Sequence, residues 1–398
     1  MAVADPKGTP MDFEQDEDHD ALRKGVRELI ARYDDAYWSA CDSEHRFPTE
    51  FYRTLADGGW LGVAIPEEYG GAGLGITEAA LLLQEVASSG AAMNGCSAIH
   101  LTLFGMNPLV KHGSAELRRE LLPRVVSGDL HVSFAVTEPD AGTDTSRITT
   151  RARRDGDGYV VDGRKVWITK AQQAEYLLLL TRTTPLEDCA KRTDGMTLFM
   201  APMDRSAIDV REIPKMGRNA VNSNELFIDG LRVPEACRIG EEGQGFRYLL
   251  DGLNPERILL AHESVGIGRS AVDRAVTYAR QRVVFDRPIG QNQGIAFPLA
   301  EATMRLDAAE LVARKAAWLY DRGRPCAREA NSAKYLAADA AFFAADRAVQ
   351  THGGFGYAVE YHVERYFREA RLMRIAPISQ EMVLNYVSEH VLGLPRSY

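Results

Sequence analysis

The chain lacks the residue patterns that mark several common chemistries. Its five cysteines (Cys41, Cys96, Cys189, Cys237 and Cys326) are odd in number and scattered without CxxC spacing. That points to reduced structural thiols and away from a disulfide framework or a zinc site. The nine histidines include no HExxH pair, so no metal is expected. Neither a GxSxG elbow nor a GxxxxGK(S/T) loop occurs, which removes the markers of acyl-serine hydrolysis and P-loop phosphate chemistry. No run approaches the roughly 18 consecutive apolar residues of a membrane span. Basic excess is missing too: the formal charge is -9, a poor electrostatic match for nucleic acid. The opening stretch, MAVADPKGTPMDFEQDEDHD, is polar and acidic, unlike a secretory signal or a transit peptide. A cytoplasmic protein is expected, with neither nucleic acid nor membrane as partner.

What is present is a 398-residue chain, 45% hydrophobic and 26% charged, enough for one large core or two to three smaller ones. From about residue 20 to 130 the apolar period is helical, with Leu22, Val26, Leu29, Ile30, Tyr33 and Tyr37 recurring at three and four. Further helices are predicted at 48–57, 77–88, 94–110 and 114–126. Near residue 131 short β-rich runs take over, and Asp162-Gly163 and Asp229-Gly230 read as tight hairpin turns. After about 241 long helices return. Leu299, Ala302, Leu306, Ala309, Ala313, Ala316 and Tyr320 form an inward stripe, repeated by Ala333, Leu336, Ala340 and Phe343. With 264–284 and 379–392 these make a four-helix bundle. The expected architecture is α+β: an N-terminal all-helical domain (1–130), a middle antiparallel β domain (131–240) and a C-terminal four-helix bundle (241–398).

That order is not a doubly wound dinucleotide fold, and GGAGLG at 70–75 follows PEEY rather than a strand, without GxGxxG spacing. Two other stretches carry chemistry. In FAVTEPDAGTDTS (134–146) a strand ends in a turn-rich segment whose backbone N–H groups can form an anion nest, with Gly142 permitting close approach and Thr137 and Thr143 offering hydroxyls. Taken alone, an ordinary strand-to-loop junction is the simpler reading. In KVWITK (165–170) alternation puts Val166 and Ile168 on one face and Trp167 and Thr169 on the other. An indole beside a hydroxyl suits a planar heteroaromatic ligand, and equally a plain sheet surface.

These stretches closely resemble the acyl-CoA dehydrogenase family of flavoproteins. The resemblance runs from about 20 to 393 and also takes in GWLGVAIPEEYGGAG (59–73), VVDGRKVWITK (160–170), GFRYLLDGLNPERILLA (245–261), RQRVVFDRPIGQNQ (280–293) and QTHGGFGY (350–357). It implies FAD, with Phe134, Val136 and Thr137 lining the isoalloxazine, Gly142 and Thr143 at the pyrophosphate, Trp167 covering the ring and Thr169 near N5. Thr143 would also meet substrate, as would Arg257. Family tetramers complete each site from a neighbour, so Arg282, Phe285, Gln293, Gln350, Gly353 and Gly354 would close around the nucleotide of another subunit.

Such an enzyme needs a carboxylate to remove the α-proton of an acyl thioester, placed in a dry pocket that raises its pKa. Many members carry it in a late IYEGT-like segment. Here the matching stretch is RIAPISQE (374–381), and Pro377 occupies the glutamate's position. Proline supplies neither a carboxylate nor a peptide N–H. A subset that includes isovaleryl-CoA dehydrogenase places its glutamate on a bundle helix before Arg, and in NPERILLAHE (254–263) that position is Glu256. Glu256 is therefore the candidate base, with Glu381 and Asp251 as weaker substitutes. The competing reading is local: Asn254 as N-cap, Pro255 at the first helical position, and Glu256 merely meeting the helix dipole.

The resemblance implies oxidation of a saturated acyl-CoA, or a carrier-protein thioester, to the trans-2-enoyl thioester, with electrons passed to an electron-transferring flavoprotein. A flavin oxidase or monooxygenase on the same fold is the alternative reaction. A flavin-bound binding protein without turnover is the third reading, disfavoured by the acidic charge balance.

Overall fold

The computed structural model describes residues 17–397. The expectation about a leader rests mainly on residues 1–16, which lie outside the described residues. Seven helices come first: α1 (Glu17–Ile30), α2 (Asp35–Ser43), α3 (Thr49–Asp57), α4 (Ile76–Val86), α5 (Ala92–Leu103), α6 (Asn107–His112) and α7 (Ala115–Val126). Of the predicted stripe, Val26, Ile30 and Tyr33 are buried, and Leu22, Leu29 and Tyr37 pack against the same core. The stripe is interrupted at Asp34, whose carboxylate accepts from the Tyr37 N–H at 2.9 Å and starts a new helix.

The middle of the chain forms one eight-stranded sheet from β1 (Val132–Ala135), β2 (Arg151–Asp155), β3 (Gly158–Thr169), β4 (Tyr176–Arg182), β5 (Met196–Pro202), β6 (Ile208–Glu212), β7 (Ser223–Pro234) and β8 (Arg238–Ile239). The order is β6-β7-β3-β2-β4-β5-β8, with β1 beside β4. Most pairs are antiparallel. The β1–β4 ladder and a single β2–β4 pair are parallel, a departure from the expected all-antiparallel sheet. The cause is connectivity, since a long turn segment and the β2–β3 hairpin intervene before β4 arrives alongside β1. The run of leucines in β4 serves both faces: Leu178 and Leu180 join one apolar cluster, Leu177 and Leu179 the other.

The predicted hairpin turns lie elsewhere. The chain reverses at Gly156–Asp157, between β2 and β3. Both Asp-Gly pairs instead sit mid-ladder, where the β3–β7 register shifts, and the Gly230 N–H (φ 68°) donates to Asp162 Oδ1 at 2.8 Å. A β-bulge asks for positive φ as a turn does, so the dipeptide signal was ambiguous.

Helices α8 (Gly245–Gln281), α9 (Gln293–Asp321), α10 (Ala327–His352), α11 (Val363–Met373) and α12 (Gln380–Tyr386) complete the chain, and a small hairpin of β9 (Val283–Val284) and β10 (Arg287–Pro288) separates α8 from α9. The α9 stripe is buried as expected except for half-buried Tyr320. In α10 the inward row is Ala330, Ala333, Ala337, Ala340, Ala341, Ala344 and Ala348, while Leu336 is exposed. Alanines let α10 lie close against α8, leaving no room for a leucine there. The largest core links α1–α5 to α8–α11. No helix is long and apolar enough to cross a membrane, and among the described residues no group of three or more His, Cys, Asp or Glu could hold a metal ion.

Candidate active site

Phe134 lies in β1, paired with Leu178 of β4, and Val136 and Thr137 directly follow the strand and are held by β3. The Val166 N–H donates to the Thr137 carbonyl at 3.0 Å, and the Lys165 ammonium donates to the Val136 carbonyl at 2.9 Å and to Glu138 at 2.9 Å. Glu138 also accepts from the backbone N–H groups of Thr149 and Thr150, so one buried ion pair straps the whole 138–150 turn to the sheet. Burial pushes the Lys165 amine down to about 8, while Glu138 is lowered because Lys165 and its hydrogen bonds outweigh desolvation. Both are charged at neutral pH. Gly142 and Thr143 stand exposed at the tip, and a Cβ on Gly142 would meet nothing within 4 Å.

The expected alternation in KVWITK is broken. The β3–β7 register shifts between Lys165 and Ile168, Trp167 adopts φ 63°, and its indole is 56% exposed. A bulge adds a residue to one strand and re-aims the side chain. Half-buried Thr169 remains one strand position past Ile168.

Far from these, Arg282, Gln350, Gly353 and Gly354 share a groove of about 570 Å3 with Tyr278 and His352. Phe285 and Gln293 do not line it. Phe285 projects from the β9–β10 hairpin, 93% exposed, and Gln293 is exposed at the start of α9.

Glu256 is not at a helix start. Helix α8 begins at Gly245, which places Asn254, Pro255 and Glu256 in its interior and removes the N-cap reading. Pro255 cannot donate to the Asp251 carbonyl four residues back. That carbonyl instead accepts from Asn107 Nδ2 at 3.0 Å. Asn254 Oδ1 accepts from Arg257 Nη1 at 3.1 Å. Glu256 itself is 8% exposed. Burial, reinforced by Glu263, pushes its pKa from 4.5 to about 7 against the pull of His100 and Arg257. The two substitutes fare differently: Asp251 is exposed and paired with His112 at 2.7 Å, and Glu381 is exposed in the first turn of α12.

Three groups near Glu256 escaped the sequence reading. His100 on α5 pairs with Glu263 at 2.8 Å. Burial opposes its charge, but the Glu263 carboxylate wins and His100 is raised. Arg218 donates to Ser97 at 3.4 Å, to Thr169 at 3.3 Å and to Ser223 at 2.7 Å, and burial lowers it to about 10. His100 packs on Phe104 (ring centroids 4.7 Å), and Phe104 on Phe134 (5.7 Å). Thus Phe134 and Thr169, from the sheet, and Glu256, from the bundle, border one buried polar cluster. Glu263 closes the same decapeptide as Glu256, seven residues on and on the same helical face; that spacing was the available signal.

A cavity of about 2100 Å3 includes Asn254, His262 and Arg269 of α8 but not Glu256. Those residues lie on a different face of the helix, and the walls are tied by ion pairs such as Arg23–Glu85 and Arg269–Glu310. It is not the site where the predicted residues meet.

Residues 16–129, 133–231 and 243–392 match the models of the acyl-CoA dehydrogenase N-terminal, middle and C-terminal domains. The chain belongs to the acyl-CoA dehydrogenase family. It is 40% identical to the acyl-CoA dehydrogenase FadE12 of Mycobacterium tuberculosis, covering 98% of this chain and all of that one. Among solved structures it superimposes on glutaryl-coenzyme A dehydrogenase in complex with glutaryl-CoA with a TM-score of 0.91 at 28% identity, over 97% and 98% of the two chains. The butyryl-CoA dehydrogenase of Megasphaera elsdenii gives 0.89 at 29% identity, over 96% and 100%. The protein is an FAD-dependent oxidoreductase that dehydrogenates acyl-CoA thioesters. The residues present fit the cofactor. An exposed indole stands at Trp167 and an open backbone approach at Gly142, on a strand and a turn tied together by the Lys165–Glu138 pair.

Proposed function

We propose that this acyl-CoA dehydrogenase oxidises a saturated acyl-CoA to the trans-2-enoyl-CoA with Glu256 as the base, works as a homotetramer and passes its electrons to an electron-transferring flavoprotein. The observation that carries the reading is a carboxyl on α8 that is buried among His100, Arg257 and Glu263, a desolvated setting that raises its pKa toward the range in which a general base is both ionised and proton-hungry. Bound FAD supplies the acceptor for the β-hydride. Phe134, Val136 and Thr137 would line its ring, with Thr169 at N5 and Trp167 as cover, and Gly142 and Thr143 would meet its pyrophosphate. Glu256 takes the α-proton onto a carboxylate oxygen, and the apolar packing around α8 keeps water from competing. Arg257, beside Glu256 on α8, holds the base partly ionised and would steady the thioester.

The neighbour's contribution rests on length. From Glu256 to the end of α8 are 25 helical residues, about 38 Å, longer than an extended dinucleotide. Arg282, Phe285, Gln293, Gln350, Gly353 and Gly354 would therefore serve the nucleotide of another subunit, and the 93% exposed Phe285 has the surface to do so.

Anaerobic mixing of the FAD-loaded enzyme with acyl-CoA thioesters should bleach the flavin and yield the 2-enoyl product. The reduced enzyme should be reoxidised quickly by an electron-transferring flavoprotein and slowly by oxygen. An enzyme reduced by dithionite but by no acyl thioester would refute the reaction, and rapid reoxidation by oxygen alone would favour the oxidase.

A further inference from the structure

Glu263 lies two turns beyond Glu256 on α8, about 10 Å along the axis, and it is fully buried. One oxygen is held by His100 at 2.8 Å; the other, Oε2, has no hydrogen-bond partner. A buried carboxylate oxygen without a donor is uncommon and unfavourable. Beside it, Arg218 has a partnerless Nε and no carboxylate within ion-pair distance among the described residues, although its side chain retains some access. Ser97 and Thr169 complete this wall. Arg257, about 100° around α8 from Glu256, is influenced by Tyr386 and Cys326, neither of them in the His100–Glu263 cluster, which leaves the Glu263 side as the inner one. An alkyl chain running inward from Glu256 would thus meet an ion pair where a long-chain enzyme needs apolar wall.

We propose that the His100–Glu263 pair, with Arg218 beside it, is the floor of the acyl pocket, so that the enzyme takes short acyl thioesters and favours a hydrogen-bond donor such as a hydroxyl at their far end. This rests on Glu256 being the base, since Glu256 fixes where the α-carbon sits. A terminal hydroxyl would donate to Glu263 Oε2; a long alkyl tail would have to displace the pair.

The test is calorimetric titration of the FAD-loaded enzyme with pentanoyl-, 5-hydroxypentanoyl- and decanoyl-CoA analogues carrying sulfur at the β-position, which bind without giving up a hydride. The hydroxylated ligand should bind about tenfold tighter than pentanoyl, the scale set by one satisfied buried polar group, and the decanoyl ligand more weakly than either. Glu263→Leu should reverse both preferences, and Glu263→Gln, which keeps the volume, should weaken only the hydroxyl preference. Decanoyl binding as tight as pentanoyl in the wild-type enzyme, or no gain from the hydroxyl, overturns the inference with no variant needed. Flavin bleaching by the oxidisable thioesters is scored separately: if long and short chains bleach equally well the dehydrogenase stands and this floor falls.

Discussion

Glu256→Gln is the perturbation with the most to lose. It keeps the side chain's volume and removes only the ability to take a proton. General-base contributions run to about 10^4-fold, and the upper end is expected because no other acid can step in. Glu263 is about 10 Å further along α8 and engaged with His100, while Asp251 and Glu381 are exposed. At about 1.4 kcal/mol per decade, the barrier should rise by roughly 5 kcal/mol. The same change touches stability in a separable way. The folded-state pKa of Glu256 is raised, from 4.5 to about 7, so the native state binds more protons between those values. Its contribution is fully present below about 4.5 and is lost as pH rises through about 7, by about 3 kcal/mol at the far side. The glutamine variant has no such titration. Relative to wild type it should therefore gain stability as pH rises from 5 to 8 in urea unfolding, while stopped-flow flavin bleaching by substrate falls by about 10^4-fold with FAD still bound. In the wild type, kcat/KM should rise with pH through an acid limb near 7. Bleaching at near wild-type rate in the variant, or an acid limb near the ordinary carboxylate value, would remove Glu256 from the mechanism.

Other perturbations read different parts of the assembly. Arg257→Gln takes away a cation that holds Glu256 down, so the acid limb of single-turnover bleaching should move to higher pH; an unmoved midpoint would count against their contact. Lys165→Met leaves Glu138 buried and unpaired, which should destabilise the sheet by about 3 kcal/mol in chemical denaturation and loosen FAD. Gly142→Ala adds a Cβ that meets no atom of the fold within 4 Å and should leave the melting temperature of the apoprotein unchanged while raising the dissociation constant of FAD. Phe285→Ser removes a side chain exposed to solvent within its own chain; light scattering should show dissociation of the oligomer together with FAD loss, and an intact FAD-loaded tetramer would contradict the neighbour's role.

How much could be seen beforehand depended on the range of the interaction. The α9 stripe and the change from helical to β grammar near residue 131 are local patterns, legible because three or four residues determine which face is buried. The start of α8 was not legible. Asn254-Pro255 carries the signature of a helix N-terminus, and it is overruled by Asn107, almost 150 residues away, which supplies the hydrogen bond that Pro255 withholds. The Asp-Gly pairs of β3 and β7 failed for a related reason: each satisfies positive φ, and only its pairing with the other across the sheet makes a bulge rather than a turn. The His100–Glu263 pair spans 163 residues, beyond any periodicity argument.

The placement of Pro255 also bears on how a buried carboxyl, the proposed base, is held in the middle of a 37-residue helix. An uninterrupted α-helix places side chains by its period alone, and every interior position facing a core is normally apolar. At residue 255 the ladder lacks one donor, and the freed carbonyl is satisfied from α6 rather than from within the helix. The backbone next to Glu256 is thus tied to the N-terminal domain, while its side chain is positioned among charges from α5 (His100) and from α8 itself (Arg257, Glu263). With Glu256 as the proposed base in place of the late segment, where Pro377 lies exposed, the carboxyl would sit on an element that is packed along most of its length. The carboxyl is consequently held by the largest core of the molecule rather than by a surface loop, and a small change in side-chain charge around it, at Arg257 or Glu263, can retune its proton affinity without moving the backbone.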